Sequence, residues 1–292
     1  MIQQVLNEKK QQVEIRLRHL LRTEEPAHRT LYASMNYSLL AGGKRIRPAL
    51  FLMALDLLGQ PSGDYLDAAC ALECVHTYSL IHDDLPQMDD DDYRRGRLTN
   101  HKVYGAGMAT MAGDGLLTFA FELLAGMEQV PAAVRCRLIR ILAQAAGPDG
   151  MVGGQAQDIE AERRRLTLEE LRTLDRCKTG CLLCAPLDMA AVLAEADASA
   201  AEALHAYGIH LGQLFQITDD LLDVSGSLEE MGKEPGQDAV MHKATYVTLA
   251  GEAGARALAE QEAARAVQAL AGMGQEAEDL RELAAWLLHR TK

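Results

Sequence analysis

The sequence contains few of the residues that build β-structure. Aromatic residues make up only 4% of the 292 positions, whereas alanine, leucine, methionine and glutamate are plentiful. Sandwiches and barrels need strands rich in aromatic and β-branched residues, while the residues that are abundant here favour helices. The composition therefore predicts a helical protein and argues against an all-β fold.

Positive charge is also scarce. The chain has 29 lysines and arginines against 42 aspartates and glutamates, which gives a net charge of −13. An acidic chain without a basic stripe is a poor candidate for binding nucleic acid or anionic membranes. No stretch approaches 18 apolar residues without a charge, and residues 1–22 are too polar for a signal peptide. We therefore expect a cytoplasmic protein with no nucleic-acid partner and no stable membrane insertion.

The six cysteines do not have the spacing of a secreted disulfide framework. Cys177, Cys181 and Cys184 are spaced i, i+4 and i+7, so they share one helical stripe, as the ligands of a soft metal would. No fourth cysteine or histidine lies nearby in the sequence. We favour the interpretation that these cysteines are small, buried apolar side chains.

Apolar residues recur at i, i+3, i+4 and i+7 along most of the chain. This period predicts helices over residues 46–59, 65–84, 113–127 and 200–224. Glycines and prolines interrupt it at 59–61, 147–150 and 232–236, but no linker, repeat or change in composition divides the chain. The sequence predicts an all-α fold of about ten or more helices, with residues 1–292 in a single domain. The last 40 or so residues are expected to be amphipathic helix on the outside, with little chemistry.

Two clusters of aspartates interrupt this apolar pattern. In the second cluster, Asp219 and Asp223 are four residues apart, so a helix projects them from one face, and their neighbours in the sequence are apolar. Two ionised carboxylates on a buried face are unfavourable unless a cation joins them. The alternative, a solvated acidic face, predicts polar neighbours. We favour a cation site.

The first cluster contains Asp83, Asp84 and the run of aspartates at 89–92. On an ideal helix Asp83 and Asp89 would point about 240° apart. Pro86 lies between them, removes an amide hydrogen bond and distorts the turn. A bulge there would bring Asp83 and Asp89 together at the mouth of a cavity. The alternative for this cluster is a solvated acidic turn.

The ligand types in these clusters indicate Mg²⁺. They are carboxylates without histidine or cysteine at coordinating spacing, and Mg²⁺ prefers oxygen ligands and often bridges to substrate phosphates. Lysines and arginines beside glycines or the acidic motifs supply groups for phosphate oxygens: Lys44, Arg45, Arg47, Arg94, Arg95, Lys178, Lys233 and Lys243. Neither a Walker loop nor a dinucleotide-binding glycine motif occurs, which argues against a nucleotide. A diphosphate substrate is the expectation.

These blocks together resemble a known family. "GGKRIRP", "HDDLPQMDDDDYRRGR", "MVGGQAQDI", "KTG", "FQITDDLLDV" and "GKEPGQD" occur in the order found in the trans-isoprenyl diphosphate synthases, and the chain is most similar to the bacterial farnesyl diphosphate synthases. The resemblance implies the isoprenoid synthase fold, with about ten core helices around a deep central cavity, and a homodimer. Tyr93 and Cys177 depart from the family pattern at positions that carry no chemistry.

The resemblance also implies roles for individual residues. Asp83, Asp89 and Asp219 would bind three Mg²⁺ ions, with Mn²⁺ as a possible substitute, and Asp84 and Asp223 would bind through water. Arg94, Lys178, Lys233 and Lys243 would bind the allylic diphosphate, and the oxygens of Thr179 and Gln216 would lie near the carbocation. Lys44, Arg47, His76 and Arg95 would bind isopentenyl diphosphate. Tyr78 and Ser79 occupy the positions that set chain length.

The implied reaction joins isopentenyl diphosphate to dimethylallyl and then geranyl diphosphate. Tyr78 would form a bulky cavity floor, so we expect a C15 product, with the C20 geranylgeranyl product as the alternative. A class I terpene cyclase would lack "GGKRIRP" and would carry a different second motif. A non-catalytic subunit of a heteromeric synthase would have lost its aspartates, and this chain keeps both sets.

Overall fold

The computed structural model describes residues 1–22, 25–161, 164–225 and 244–290, and these ranges are almost entirely helical. The predicted all-α class is confirmed. The predicted ligands Lys233 and Lys243 lie outside the described residues, as does the segment between them.

The elements follow one another in this order. The first group comprises α1 (Ile2–Leu20), α2 (Arg29–Leu39), α3 (Ile46–Leu57), α4 (Leu66–Asp83), strands β1 (Tyr93–Arg94) and β2 (Arg97–Leu98), α5 (Asn100–Tyr104), α6 (Ala106–Ala125) and α7 (Ala132–Ala146). The second comprises α8 (Met151–Ala161), α9 (Leu168–Asp175), a π-helical segment (Arg176–Gly180), α10 (Cys181–Leu193), α11 (Ala198–Ser225), α12 (Tyr246–Ala269) and α13 (Glu278–Leu288). Short 3-10 turns occur at Pro26–His28, Ser62–Tyr65 and Gln275–Ala277.

The predicted helices are present, with small differences at their ends. The expected segments 46–59, 65–84 and 200–224 correspond to α3, α4 and α11. The segment expected at 113–127 corresponds to α6, which begins seven residues earlier, at Ala106, and ends two residues earlier, at Ala125. The C-terminal part is two helices, α12 and α13, rather than one, and α12 has a break at Gly251.

The described residues form two compact units. The first contains Gln3–Leu52 and Pro61–Ile139, and the second contains Met53–Gln60 and the described residues from Arg140 onward. The single domain and the deep central cavity expected from the sequence stay predictions.

In the first unit, α4 packs along α6 and also contacts α2. Helix α4 is buried on most of its sides, since Ala68, Cys70, Leu72 and Val75 are inaccessible to solvent. A helix that is apolar all round belongs in a core, which explains why the sequence of α4 has little amphipathic character. The C-terminal end of this core helix is where the first aspartate cluster begins.

The core of the second unit is built around α11. This helix packs against α12 and α10, and Tyr207, which is fully buried, donates a hydrogen bond of 2.7 Å to the carbonyl oxygen of Leu280. The second aspartate cluster lies near the C-terminal end of α11.

Helix α6 is long and apolar enough to cross a membrane by length and composition. The central helix of a water-soluble core meets the same criterion, and Leu116, Ala120 and Leu124 of α6 are fully buried inside the protein.

Candidate active site

The first aspartate cluster forms a tight turn after α4. The helix ends at Asp83, and the amide of Asp89 donates a hydrogen bond of 2.9 Å to the carbonyl oxygen of Asp83. The buried Leu85 anchors the turn, because its carbonyl oxygen accepts from the amides of Met88 and Asp90. The distortion predicted at Pro86 is present, because the helix ends at Asp83. Asp83 and Asp89, both half-buried, are joined through their backbones, and the approach of their carboxylates stays a prediction.

The short strands β1 and β2 form a hairpin that follows the acidic turn. Arg95 (φ 54°) and Gly96 (φ 72°) are its central residues, and positive φ at both positions is typical of a type I′ turn. The hairpin directs Arg94 back to the acidic turn, where its Nε lies 2.6 Å from Oδ1 of Asp84 and its Nη2 lies 3.1 Å from Oδ2 of Asp91. Arg94 is therefore held by two carboxylates.

Asp84 is the buried member of this group. Burial raises its pKa to about 6, although the hydrogen bond from Arg94 acts in the opposite direction. The structure thus gives Asp84 a function that the sequence did not suggest, which is to orient Arg94. Its water-mediated contact with a metal stays a prediction.

Arg95 faces the glycine-rich segment before α3. Its Nη1 donates to the carbonyl oxygen of Gly42 at 2.5 Å, and a Cβ at Gly43 would lie 2.8 Å from Cζ of Arg95. Gly43 also has a φ of 118°, which other residues rarely adopt. The glycines of "GGKRIRP" therefore make room for the guanidinium of Arg95.

The three basic residues of the same segment differ in their environments. Lys44 is exposed and Arg47 is half-buried. Arg45 is buried, and it donates to Oε1 of Glu73 at 2.5 Å and to the carbonyl oxygen of Leu39 at 2.7 Å. Arg45 is thus a structural residue, whereas the binding roles of Lys44 and Arg47 stay predictions.

His76 lies on α4 within the field of these arginines. Burial lowers its pKa well below the ordinary value, and the nearby charges of Arg47 and Arg95 lower it further. The imidazole is therefore neutral near pH 7. The structure brings together His76, Arg47 and Arg95, three of the four residues predicted to bind isopentenyl diphosphate.

A small pocket within the first unit lies beside this cluster. Asp84, Arg94 and Arg95 supply charged groups to its wall, and Leu80 and Ile81 of α4 supply apolar ones. The pocket therefore places apolar side chains next to arginines.

Tyr78 and Ser79, the residues predicted to set chain length, lie five and four residues before Asp83, where the acidic turn begins. Tyr78 is buried, and burial, with a contribution from Asp83, raises its pKa to about 12. Its ring meets the ring of His82 edge-on, with 5.6 Å between centroids. The hydroxyl of Ser79 is half-buried and donates to the carbonyl oxygen of His76 at 2.9 Å.

His82 and Gly113 are positioning residues that the sequence analysis missed. His82 Nε2 lies 3.1 Å from the carbonyl oxygen of Thr110, and a Cβ at Gly113 would approach that nitrogen to 2.2 Å. The glycine in α6 therefore leaves the space that His82 fills, and His82 supports the ring of Tyr78. In the sequence, the available sign of this contact was a glycine, Gly113, within an apolar helical stretch.

In the second unit, the "KTG" block lies in the π-helical segment between α9 and α10. Segments of this kind are rare in proteins, and those that occur often lie at functional sites. Lys178 Nζ lies 2.5 Å from Oδ2 of Asp158 on α8. A Cβ at Gly154 would lie 2.2 Å from the backbone nitrogen of Lys178, so this glycine allows α8 to approach the segment.

A hydrogen-bonded chain joins Thr179 to α11 and α12. The hydroxyl of Thr179 lies 3.3 Å from Oε1 of Gln216, and Nε2 of Gln216 donates to Oδ1 of Asp220 at 3.1 Å. The other oxygen of Asp220 accepts from the amide of Tyr246 at 2.8 Å. Thr179 and Gln216 are thus adjacent, as the sequence predicted, and the buried Asp220 that orients them is an addition.

A second cavity lies within the second unit. Lys178, Gln216, Asp220, Asp158 and Asp175 are among its lining residues. Asp175 is buried, and burial together with the charge of Asp220 raises its pKa to about 8, although Tyr246 and Lys178 act in the opposite direction. This cavity holds two of the residues predicted to bind the allylic substrate.

Asp219 and Asp223 lie on α11 as predicted, but their environments differ. Asp223 is buried, whereas 45% of the Asp219 side chain is exposed, so the expectation that both lie on a buried face is wrong for Asp219. Asp219 pairs with the guanidinium of Arg290, which lies 4.4 Å above the ring of Phe215. The C-terminal part, expected to carry little chemistry, therefore supplies a partner for a predicted metal ligand.

The predicted metal ligands fit a hard divalent cation. Asp83 and Asp89 offer carboxylate oxygens from adjoining positions in one turn, and Asp219 offers another on α11. Hard cations such as Mg²⁺ take oxygen ligands and tolerate a partly hydrated site, which half-buried carboxylates provide.

Comparison with known proteins agrees with this geometry. The polyprenyl synthetase family model matches residues 28–286. The chain belongs to the polyprenyl synthetase family. Members of this family require a divalent metal.

Individual members of the polyprenyl synthetase family are similar over most of the chain. The farnesyl diphosphate synthase of Geobacillus stearothermophilus is 52% identical over 258 residues, which cover 87% of this chain and 86% of that protein. Geranylgeranyl pyrophosphate synthase 9 of Arabidopsis thaliana is 43% identical over 248 residues, covering 83% of this chain and 69% of that protein. The crystal structure of an FPP/GFPP synthase from Zymomonas mobilis has a TM-score of 0.88 at 35% identity, and covers 98% of each chain.

Proposed function

We propose that this polyprenyl synthetase condenses isopentenyl diphosphate with dimethylallyl diphosphate and then with geranyl diphosphate, forming (E,E)-farnesyl diphosphate. The observation that carries the proposal is the acidic turn, in which the backbone amide of Asp89 is hydrogen-bonded to the backbone carbonyl of Asp83 and Arg94 and Arg95 follow at once. Similarity to farnesyl diphosphate synthases at up to 52% identity supports the C15 product.

The charged residues are assigned to the metal ions or to one of the two diphosphates according to their chemistry. Asp83, Asp89 and Asp219 hold divalent cations, with three Mg²⁺ ions expected and Mn²⁺ as a substitute. Bound cations of this kind neutralise the charge that develops on a departing diphosphate. Arg94 and Lys178, together with Lys233 and Lys243 outside the described residues, bind the allylic diphosphate. Lys44, Arg47, His76 and Arg95 bind the diphosphate of isopentenyl diphosphate.

The reaction proceeds through charge separation. Cleavage of the C1–O bond of the allylic substrate leaves an allylic cation, and the alkene carbon C4 of isopentenyl diphosphate attacks C1. Thr179 and Gln216 present oxygen dipoles whose orientation is fixed, because Asp220 binds the amide nitrogen of Gln216. Dipoles that are oriented before the reaction stabilise developing charge at little further cost. Transfer of a proton to the departing diphosphate completes the cycle.

The C20 product is the second candidate, and the similarity to a geranylgeranyl pyrophosphate synthase is the observation in its favour. The buried ring of Tyr78, supported by His82, favours the shorter product. Incubation of the purified protein with isopentenyl and dimethylallyl diphosphates and Mg²⁺ decides between the two. We expect farnesyl diphosphate as the end product, and geranylgeranyl diphosphate would overturn the C15 assignment.

Parallel incubations, with farnesyl diphosphate or a second polypeptide added, test the other functions that the sequence allows. A cyclic hydrocarbon formed from added farnesyl diphosphate would indicate a terpene cyclase. Lack of turnover by the lone protein, restored by a second polypeptide, would indicate a subunit of a heteromeric synthase. Chain elongation by the protein alone supports the proposal.

We also propose that the protein is a cytoplasmic homodimer in which residues 1–292 form one domain. Prenyl diphosphates are its proposed small-molecule partners. Sedimentation of the purified protein would give the mass of the assembly, and a monomer that turns over substrate would contradict the proposed dimer.

A further inference from the structure

Three metal-ligating side chains that the proposed reaction does not use meet where α10 packs against α11. Cys184 and Asp188 lie one turn apart on α10, and His205 lies on α11. The Nδ1 atom of His205 is 3.3 Å from Sγ of Cys184 and 2.9 Å and 3.1 Å from the two carboxylate oxygens of Asp188. Sγ of Cys184 is 3.8 Å from Oδ2 of Asp188.

The donor types are those of a tetrahedral transition-metal site, and the nitrogen–sulfur and sulfur–oxygen distances of 3.3 Å and 3.8 Å lie close to its geometry. The nitrogen–oxygen distances of 2.9 Å and 3.1 Å are those of a hydrogen bond, which a bound ion would replace. Zinc bonds of about 2.0–2.3 Å to nitrogen, oxygen and sulfur place tetrahedral ligand atoms roughly 3.4–3.6 Å apart. A single imidazole nitrogen faces both the thiol and the carboxylate, whereas a nucleophile–histidine–carboxylate triad uses one ring nitrogen for each partner. The shared nitrogen therefore points into the space between sulfur and oxygen, where a cation would lie.

We propose that Cys184, Asp188 and His205 bind Zn²⁺ or a similar borderline-soft divalent cation. A thiolate and an imidazole favour such an ion over Mg²⁺, which prefers oxygen ligands alone. On binding, the metal–sulfur bond replaces the S–H bond of Cys184, and the thiol proton passes to solvent. The oxidation state of the metal does not change.

The surroundings of the three side chains suit this ligand set. The two helices approach closely at Gly208 of α11, where a Cβ would lie 3.0 Å from both Cα and Sγ of Cys184. Cys184 is buried, while 54% of the His205 side chain is exposed, so one side of the cluster is open to solvent. Water can therefore supply a fourth ligand, and the ion can reach the site.

The sequence contained part of this signal. Asp188 extends the stripe of Cys177, Cys181 and Cys184 by one more helical turn, but His205 comes 21 residues after Cys184 and meets it through helix packing alone. Cys177 and Cys181 are half-exposed, so the expectation that all three cysteines are buried holds for Cys184 only. The bound ion would link α10, which follows the Lys178–Thr179 segment, to α11, which carries Gln216.

Cobalt(II) titration of the metal-free protein in excess Mg²⁺ tests the proposal. Mg²⁺ saturates sites made of carboxylates, and a thiolate-to-cobalt charge-transfer band in the near ultraviolet reports only on sulfur ligands. We expect this band to saturate at one equivalent per chain and to disappear when Zn²⁺ is added. Cys184→Ser should abolish the band, and His205→Gln should weaken cobalt binding at least about tenfold.

Two controls make the outcome decisive. Cys136→Ser removes an exposed cysteine from another helix and should leave the band unchanged. His205 is half-exposed, so His205→Gln should fold normally even if Cys184→Ser does not, and Zn²⁺ should raise the melting temperature of the unmodified protein but not of this variant. Absence of the band, its persistence in His205→Gln at unchanged affinity, or its loss in Cys136→Ser would overturn the proposal. None of these results depends on prenyl transfer.

Discussion

Tyr78 is the bulkier of the two side chains, with Ser79, that we expect to set the product length. At 1.5 Å per residue it lies about 7.5 Å along the helix axis from Asp83, and its ring is buried against His82. Tyr78→Ala would vacate the volume of the ring, so we expect the main product to lengthen from C15 to C20. Tyr78→Phe keeps the ring and should still give C15. Chromatography of the dephosphorylated products measures both, and a C15 product from Tyr78→Ala would mean that Tyr78 is an ordinary core residue.

Replacement of different aspartates in the two acidic motifs should lower turnover by different amounts. Asp83→Ala or Asp219→Ala removes a ligand of the cations that stabilise the leaving group, so we expect turnover to fall by about three orders of magnitude, or roughly 4 kcal/mol of transition-state stabilisation. Both side chains are partly exposed, so the melting temperature should change little. Turnover under saturating Mg²⁺ is the measurement.

Asp92 provides a matched control from the same acidic run. Its carboxylate is largely exposed and pairs with Lys102 at 2.6 Å, away from the bond between Asp89 and Asp83. Asp92→Ala should therefore keep most of the activity. Near-normal turnover in Asp83→Ala, or an equal loss in Asp92→Ala, would contradict the assigned metal ligands.

The attachment of α4 to the segment before α3 depends on one buried ion pair. The side chains of Arg45 and Glu73 are each 1% exposed and meet at 2.5 Å. Removing Glu73 leaves the buried guanidinium of Arg45 with only the carbonyl oxygen of Leu39 and the more distant Glu14, at 3.7 Å, so Glu73→Ala should lower the free energy of unfolding by about 3 kcal/mol. Urea denaturation measures this change.

The pair that joins α1 to α4 is the corresponding control. Arg16 and Asp67 also meet at 2.6 Å, but their side chains are 40% and 30% exposed. Asp67→Ala should cost only about 0–1 kcal/mol, because solvent screens an exposed pair. Similar losses in the two variants would show that burial does not set the strength of the Arg45–Glu73 interaction.

Most helices could be predicted from the sequence because their apolar residues repeat with the helical period. This period predicted the ends of α3, α4 and α11 to within a few residues. Pro86 indicated the distorted turn between Asp83 and Asp89. The hairpin escaped prediction because its strands are two residues long and show no period. Its turn also depends on a positive φ at Arg95, which is uncommon for a residue other than glycine.

Contacts between residues far apart in the chain were beyond sequence reasoning. Arg290 reaches Asp219, and His205 reaches Cys184, through the packing of helices whose relative rotation no local pattern specifies. The π-helical segment at Arg176–Gly180 could not be predicted either, because one extra residue in a single turn leaves the apolar period almost unchanged. The types of the site residues could thus be predicted, but several of their partners could not.

The stability of the folded chain should depend on pH in a direction set by its buried carboxyls. Asp175 ionises near pH 4 in an unfolded chain, whereas burial raises its folded pKa to about 8. Between these values the folded state binds more protons than the unfolded state, so the free energy of unfolding falls as pH rises and the contribution is lost above pH 8. Asp84, with a folded pKa of about 6, acts in the same direction over a narrower range.

Asp175→Asn isolates the larger of these two effects, because the amide cannot ionise and is similar in size to the carboxyl. In the presence of EDTA, the unmodified protein should lose more stability between pH 5 and pH 8.5 than Asp175→Asn does, as measured by urea denaturation at each pH. Asp149→Asn, at an exposed position in the same unit, should follow the unmodified protein. If Asp175→Asn also showed the full pH dependence, the raised pKa of Asp175 would be wrong, and the cavity that contains Lys178 and Gln216 would have to hold a third negative charge at neutral pH beside Asp158 and Asp220.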